Sequence, residues 1–94
     1  MRHLESSIER KVCTAATKLG VPNIKLQKNG WPDRCYLIHG GTPLFIEFKR
    51  PGEEPRPLQL HIHQQLRDLG YKVHVCDEYC HAMSLILHAI EEMK

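Results

Sequence analysis

The sequence predicts an α/β fold with the element order α-β-β-β-α-β-α, and three observations predict it. Apolar residues recur at helical spacing in three separate stretches, short runs rich in Val, Ile, Leu, Phe and Tyr lie between them, and Gly40-Gly41 joins two of those runs as a hairpin turn does. Mixed strands and helices of this length pack as a sheet with helices on its faces.

In the first stretch Leu4, Ile8, Val12, Ala15, Ala16 and Leu19 share a helical stripe, and Gly20 followed by Pro22 stops it. Asn23 to Gln27, with Ile24 and Leu26 alternating, reads as a short strand before the turn residues Lys28-Asn29-Gly30. Arg34 to His39 and Pro43 to Lys49 are the two arms of the hairpin. The second arm is apolar on both faces until its end, the pattern of a covered central strand. Arg50 to Pro57 holds three prolines and a glycine in eight residues and is therefore a surface loop. Pro57 suits the first turn of a helix whose stripe is Leu58, Ile62, Leu66 and Leu69, closing at Gly70. Tyr71 to Cys76 is a last strand with Val73 and Val75 on one face. Glu78 to Met93 is a closing helix carrying Met83, Leu85, Ile86, Leu87, Ile90 and Met93.

With 94 residues and 41% apolar content, the chain is expected to be one domain, residues 1–94, near the lower size limit for a self-sufficient core. A partner subunit is the natural supplement. A net charge of only +2 means that affinity for nucleic acid has to come from local clustering. Such a cluster exists: Lys25, Lys28, Arg34, Lys49, Arg50 and Arg56 face only Asp33, Glu47, Glu53 and Glu54 over the same segment. The first five residues start no apolar leader, and no run approaches the roughly 18 apolar residues of a membrane span. A soluble, intracellular protein is expected, in the cytoplasm of a bacterial host if the chain is phage-encoded. The four cysteines, Cys13, Cys35, Cys76 and Cys80, then read as reduced thiols rather than a disulfide framework.

The chemistry concentrates at Gly30-Trp31-Pro32-Asp33 and Glu47-Phe48-Lys49. Residues two apart on a strand share a face, so Glu47 and Lys49 project together while Phe48 turns into the core. Asp33 lies about seven residues before the glycine turn and Glu47 about six after it, so a hairpin of equal arms brings the two acids side by side. Adjacent carboxylates repel unless a cation separates them, and hard divalent ions such as Mg²⁺ take oxygen ligands, for which the Phe48 carbonyl is a further candidate. A surface ion pair plus a turn-capping aspartate is the plainer account of an acid-x-lysine pair. The covered strand and the preceding Pro-Asp weigh against it.

These residues, together with Pro51-Gly52, Pro57-Leu58-Gln59 and Leu69-Gly70-Tyr71-Lys72-Val73, resemble the virus-type replication-repair nuclease (VRR-NUC) domain, a branch of the PD-(D/E)xK nucleases. The resemblance implies a restriction-endonuclease-like fold and Mg²⁺- or Mn²⁺-dependent cleavage of DNA phosphodiesters. For stand-alone phage-type members it also implies a homodimer acting on branched DNA in the manner of a Holliday-junction resolvase. By the match, Asp33 and Glu47 bind metal, Lys49 is the catalytic lysine, and Gln59 is the helix glutamine beside the site. The family also places a glutamate on its first helix. Glu5 and Glu9, four apart on one face, both qualify, and Glu9 lies nearer the helix middle where position is better fixed. The approach to Pro-Asp is shorter here than in many relatives, which leaves Lys25 and Lys28, with Arg34, Arg50 and Arg56, as the candidates for DNA contact.

Other signals are weaker. Cys76, Cys80 and His81 suggest zinc, but no second ligand pair accompanies them, and His61 and His63, two apart on a helix, cannot face one ion and are expected at the surface. Trp31 is either a stacking platform for an unpaired base or a lid over the hairpin. A DNA-binding module without turnover, and a small zinc or thiol regulator, are the alternative functions; the first predicts binding without cleavage products, the second stoichiometric zinc.

Overall fold

The computed structural model describes residues 5–92, so Leu4 and Met93 of the helical stripes lie outside the described residues. Its elements follow the expected order: α1 (Glu5–Lys18), β1 (Asn23–Lys25), β2 (Arg34–Ile38), β3 (Thr42–Phe48), α2 (Pro57–Asp68), β4 (Lys72–Cys76) and α3 (Tyr79–Glu92). The strands form one sheet in the order β1-β2-β3-β4. The first three run antiparallel, and β4 returns parallel to β3 after the α2 crossover.

Between β2 and β3 the backbone reverses through Gly40 and Gly41 with φ of 90° and 78°. The turn is His39-Gly40-Gly41, and the two successive positive φ values at its end are ones that side chains resist. The turn fixes a register from Ile38 opposite Thr42 to Arg34 opposite Ile46. Asp33 and Glu47 are therefore neighbours at the open end of the hairpin.

The alternation along each strand divides the core in two. Ile8, Val12 and Ala16 of α1 and Ala82, Met83, Ile86 and Ala89 of α3 pack against Tyr36, Ile38, Leu44, Ile46, Phe48 and Cys76 on one face of the sheet. On the other face α2 sets Leu66 and Ile62 against Cys35, Phe45 and Val73, with Leu26 and Trp31 at the margin. Each fully buried aliphatic or aromatic side chain stabilises the fold by about 1.5–3 kcal/mol relative to exposure. β3 lies in the middle with both faces covered, as its unbroken apolar run requires. Among the described residues no helix is long and apolar enough to cross a membrane.

Helix α2 departs from expectation. Leu58 and Leu69 of the apolar stripe are 45% and 74% exposed, whereas Gln59 and His63 are 5% and 0% exposed. The buried face is thus Gln59, His63 and Leu66, one step around the helix from the expected stripe. The cause lies beneath it, where the first half of α2 covers the polar end of β3 and only its second half meets the apolar cluster of Cys35, Phe45 and Val73.

Candidate active site

The hairpin's open end and the start of α2 converge on one cluster of polar side chains. Asp33, half-buried, is joined to β3 by its own carboxylate: the Phe48 N–H donates to Asp33 Oδ2 at 2.7 Å. Burial pushes the Asp33 carboxyl up to about 6, and the negative charges of Glu47, Glu9 and Glu5 push the same way against the Phe48 hydrogen bond. A carboxylate so placed favours a cation beside it.

Glu47 is 2% exposed. Its Oε2 accepts a hydrogen bond from Gln59 Nε2 at 2.9 Å and lies 3.5 Å from Lys49 Nζ. Its Oε1 is buried with no hydrogen-bond partner. Gln59 is itself fixed, since its Oε1 accepts the Arg56 N–H at 2.8 Å where α2 begins. One end of the amide therefore satisfies an orphan donor of the helix start, and the other orients the acid. Lys49 is buried beside Glu47, and its backbone N–H reaches Cys76 O at 2.9 Å, holding the end of β3 against β4.

His63 corrects the sequence reading. Expected at the surface, it is fully buried, its Nε2 lies 3.8 Å from Glu47 Oε1, and neither ring nitrogen has a hydrogen-bond partner. It sits one turn beyond Gln59 on the same helix face, which carries it under β3 with Gln59. The four-residue spacing from Gln59 was the signal available in the sequence.

The two glutamates of α1 differ in surroundings. Glu9 is buried, and its Oε2 takes Arg34 Nε at 2.6 Å and Lys25 Nζ at 3.6 Å. Arg34 in turn donates to Asn23 Oδ1 at 3.1 Å. Glu5 is exposed, with its carboxyl held above the usual range by partial desolvation and by a hydrogen bond shared with Glu53, while Lys49 and Arg50 draw it down. Glu5 thus shares the electrostatic neighbourhood of Lys49, and Glu9 is committed to two cations.

Gly30 explains the glycine of the Gly-x-Pro-Asp stretch. Its φ is +85°, and a Cβ there would meet Leu58 Cγ at 2.8 Å and Ile62 Cγ1 at 3.2 Å. The loop can lie against α2 only without a side chain, and fully buried Pro32 then delivers Asp33 to its strand. Lys28 lies over the Trp31 ring at 5.9 Å, while Arg50 and Arg56 are exposed. Cys76 is buried in the core with its thiol pushed up to about 12 by desolvation, whereas Cys80 is exposed at the start of α3.

Among the described residues no three His, Cys, Asp or Glu side chains already form a cage for a metal. The fit of a divalent ion rests instead on Glu47 Oε1, a buried carboxylate oxygen without a donor, and on an Asp33 whose ionisation neighbouring charge opposes. Mg²⁺ is commonly held by one or two carboxylates and keeps several waters, so this donor set suits it.

A four-stranded mixed sheet with an acid at the start of one hairpin strand and an acid-x-lysine pair at the end of the other defines a protein of the restriction-endonuclease-like class. No family model matches the chain. It is 37% identical over 89 residues to a protein named "Putative nuclease p44" from Acyrthosiphon pisum secondary endosymbiont phage 1, covering 92% of this chain and 94% of that one. A solved structure described as "VRR_NUC domain" superposes with a TM-score of 0.79 at 27% identity, covering 89% of this chain and 95% of the other. The chain belongs to the virus-type replication-repair nuclease family.

Proposed function

We propose that the 94 residues act as one nuclease domain, a deoxyribonuclease that hydrolyses DNA phosphodiester bonds with bound Mg²⁺ or Mn²⁺, and that two copies work together on branched DNA such as a four-way junction. If phage-encoded like its named relative, it does so in the cytoplasm of a bacterial host. The observation that carries the reading is the buried, unpartnered Oε1 of Glu47 beside Asp33 and Lys49.

Asp33, Glu47 and the Phe48 carbonyl would hold the ion, with Glu5 or Glu9 as the helix acid; Glu9 is engaged by Arg34 and Lys25, which favours Glu5. Bound there, a divalent cation supplies polarisation of the scissile phosphate and a more acidic water. Every other part is played by groups of the chain itself. Gln59 fixes Oε2 of Glu47 and leaves Oε1 uncommitted. The Phe48 N–H likewise fixes one oxygen of Asp33. Lys49, buried and therefore poorly hydrated, sets a positive charge where negative charge gathers on the phosphate during hydrolysis.

Lys25, Lys28, Arg34, Arg50 and Arg56 flank the site residues in the sequence and suit a polyanion. Dimer formation is supported by the α2 side of the sheet, where one helix covers four strands and leaves Leu37, Leu69 and Tyr71 exposed. Two sites related by a twofold axis suit a symmetric junction. The test is a cleavage panel of duplex, flap, splayed and four-way DNA in Mg²⁺ and in Mn²⁺. Asp33→Ala, Glu47→Ala and Lys49→Ala are each expected to remove cleavage from a folded protein. Full cleavage by all three, or no cleavage of any DNA by the unaltered chain, removes the reading.

A further inference from the structure

A groove of about 530 Å³ runs between α1 and the β1–β2 edge, and its charged lining is Arg10, Lys18, Lys25 and Arg34 against Glu9 alone. That single carboxylate is already bound to Lys25 and Arg34. Arg10 and Lys18 make no ion pair among the described residues. Asn23 adds a donor, because its Oδ1 is taken by Arg34 and its amide NH₂ is left over. Thr14 and Thr17 spend their hydroxyl protons on helix carbonyls, so the cations, this amide and the Ser6 hydroxyl are the groups that remain for an anion.

We infer that this groove holds the phosphodiester backbone of one DNA strand as it leaves the active site. The inference rests on the nuclease reading and adds to it a path for the substrate. Two arguments support it. Arg34 directly follows Asp33 in the chain, and Glu9, its partner in the groove, lies close enough to Asp33 for its charge to act on that carboxyl. Arg10 and Lys18 lie eight apart, two steps of four, so with Thr14 they line one face of the helix over a rise of roughly 12 Å, the axial span of about three to four nucleotides. A small anion would need one cluster of donors; a row of separated cations facing solvent fits a charged chain.

The test measures binding of a four-way junction and of its duplex arm to Arg10→Gln and Lys18→Gln chains across a salt series without divalent ions. Lys72→Gln, at the other end of the sheet and paired with Glu92, is the charge-matched control. Each groove substitution is expected to reduce the slope of log affinity against log salt by about 0.9 and the double substitution by about twice that, with cleavage at saturating DNA retained. The control is expected to bind as the unaltered chain does. If the unaltered chain binds and cuts DNA but the double substitution keeps its slope, the groove assignment fails and the nuclease reading stands. If the unaltered chain neither binds nor cuts, both fall. A fall in slope seen with the junction and with its duplex arm alike supports a contact to the backbone of one strand; a fall confined to the junction assigns the groove to the branch point and overturns the inference.

Discussion

The carboxylate of Asp33 is held by the backbone N–H of Phe48 at 2.7 Å, so the acid that opens β2 is anchored at the centre of the Glu47-Phe48-Lys49 stretch that closes β3. The hydrogen bond spares Asp33 some of the cost of ionising, yet burial and neighbouring acids still raise it from 3.8 to about 6. A group whose pKa is raised on folding contributes stability that is complete below the unfolded value and is lost as pH climbs through the folded one. Without metal, the chain should therefore lose stability between about pH 4 and pH 6 on account of Asp33. The full shift corresponds to about 3 kcal/mol. Partial solvent access reduces that to about 1–2 kcal/mol.

Asp33→Asn keeps an acceptor for the Phe48 N–H and removes the ionisation. It should melt several degrees above the unaltered chain at about pH 8 without metal, given about 4–8 °C per kcal/mol for a domain this small, and match it near pH 4. Added Mg²⁺ should raise the melting temperature of the unaltered chain above about pH 6 and leave the substituted chain unmoved. Cleavage should fall on the order of 10²–10³-fold or more, as when a preorganised charge-stabilising group is removed. Thermal melts with and without Mg²⁺ at the two pH values read the first two effects. If the Asp33→Asn chain is the less stable of the two at the higher pH, both are contradicted.

His63 is buried under Glu47 with both ring nitrogens unpartnered, an arrangement that costs stability. His63→Leu replaces it by an apolar group of similar volume. Stability should be unchanged or rise by about 1 kcal/mol, while cleavage falls because the side chain beside Glu47 Oε1 has changed. Denaturant titration alongside a cleavage assay separates the two effects. A loss of several kcal/mol would mean that the histidine is structural.

Much of this arrangement was readable from the chain. The equal arms around Gly40-Gly41 and the unbroken apolar run of β3 sufficed to bring Asp33 next to Glu47, because period-two alternation and a short turn leave little choice of register. The phase of α2 was not readable by the same logic. Leu58, Ile62, Leu66 and Leu69 form a good apolar stripe, but the first half of the helix lies on a polar patch, so Gln59 and His63 face inward, while Leu69 at the helix end faces solvent. Helical periodicity assumes an apolar surface opposite, and a buried site breaks that assumption. The choice between Glu5 and Glu9 failed to resolve for another reason. It depends on Arg34, 25 residues from Glu9 in sequence, and no local pattern reports such a pair.

Gln59 joins the first turn of α2 to Glu47 by two hydrogen bonds, at 2.8 and 2.9 Å. Gln59→Ala should cost about 1–2 kcal/mol by leaving the Arg56 N–H and Glu47 Oε2 without it. It should also lower cleavage by about 10–100-fold, the usual loss when a group that orients a metal-binding side chain is removed. Gln59→Glu is a sharper version. It keeps the acceptor for Arg56 but sets a carboxylate against Glu47, so its cleavage loss should exceed that of Gln59→Ala; equal or better cleavage would argue that Gln59 does not orient Glu47.

Gly30 separates two physical effects that one substitution combines. Gly30→Ala places a Cβ at 2.8 Å from Leu58 Cγ and asks alanine to hold a φ of +85°. The backbone term is about 1–2 kcal/mol, and overpacking against α2 adds about 1–3 kcal/mol. Leu58 is 45% exposed, so shortening it to alanine costs little by itself. The pair Gly30→Ala/Leu58→Ala should therefore recover the packing part of the loss and keep the backbone part, which a double-mutant cycle in chemical denaturation measures. Cleavage should follow the same order, because the loop that Gly30 seats against α2 runs through Pro32 directly into Asp33. Full recovery in the pair would assign the whole effect to the clash with Leu58, and no recovery would assign it to the backbone together with the Ile62 contact at 3.2 Å.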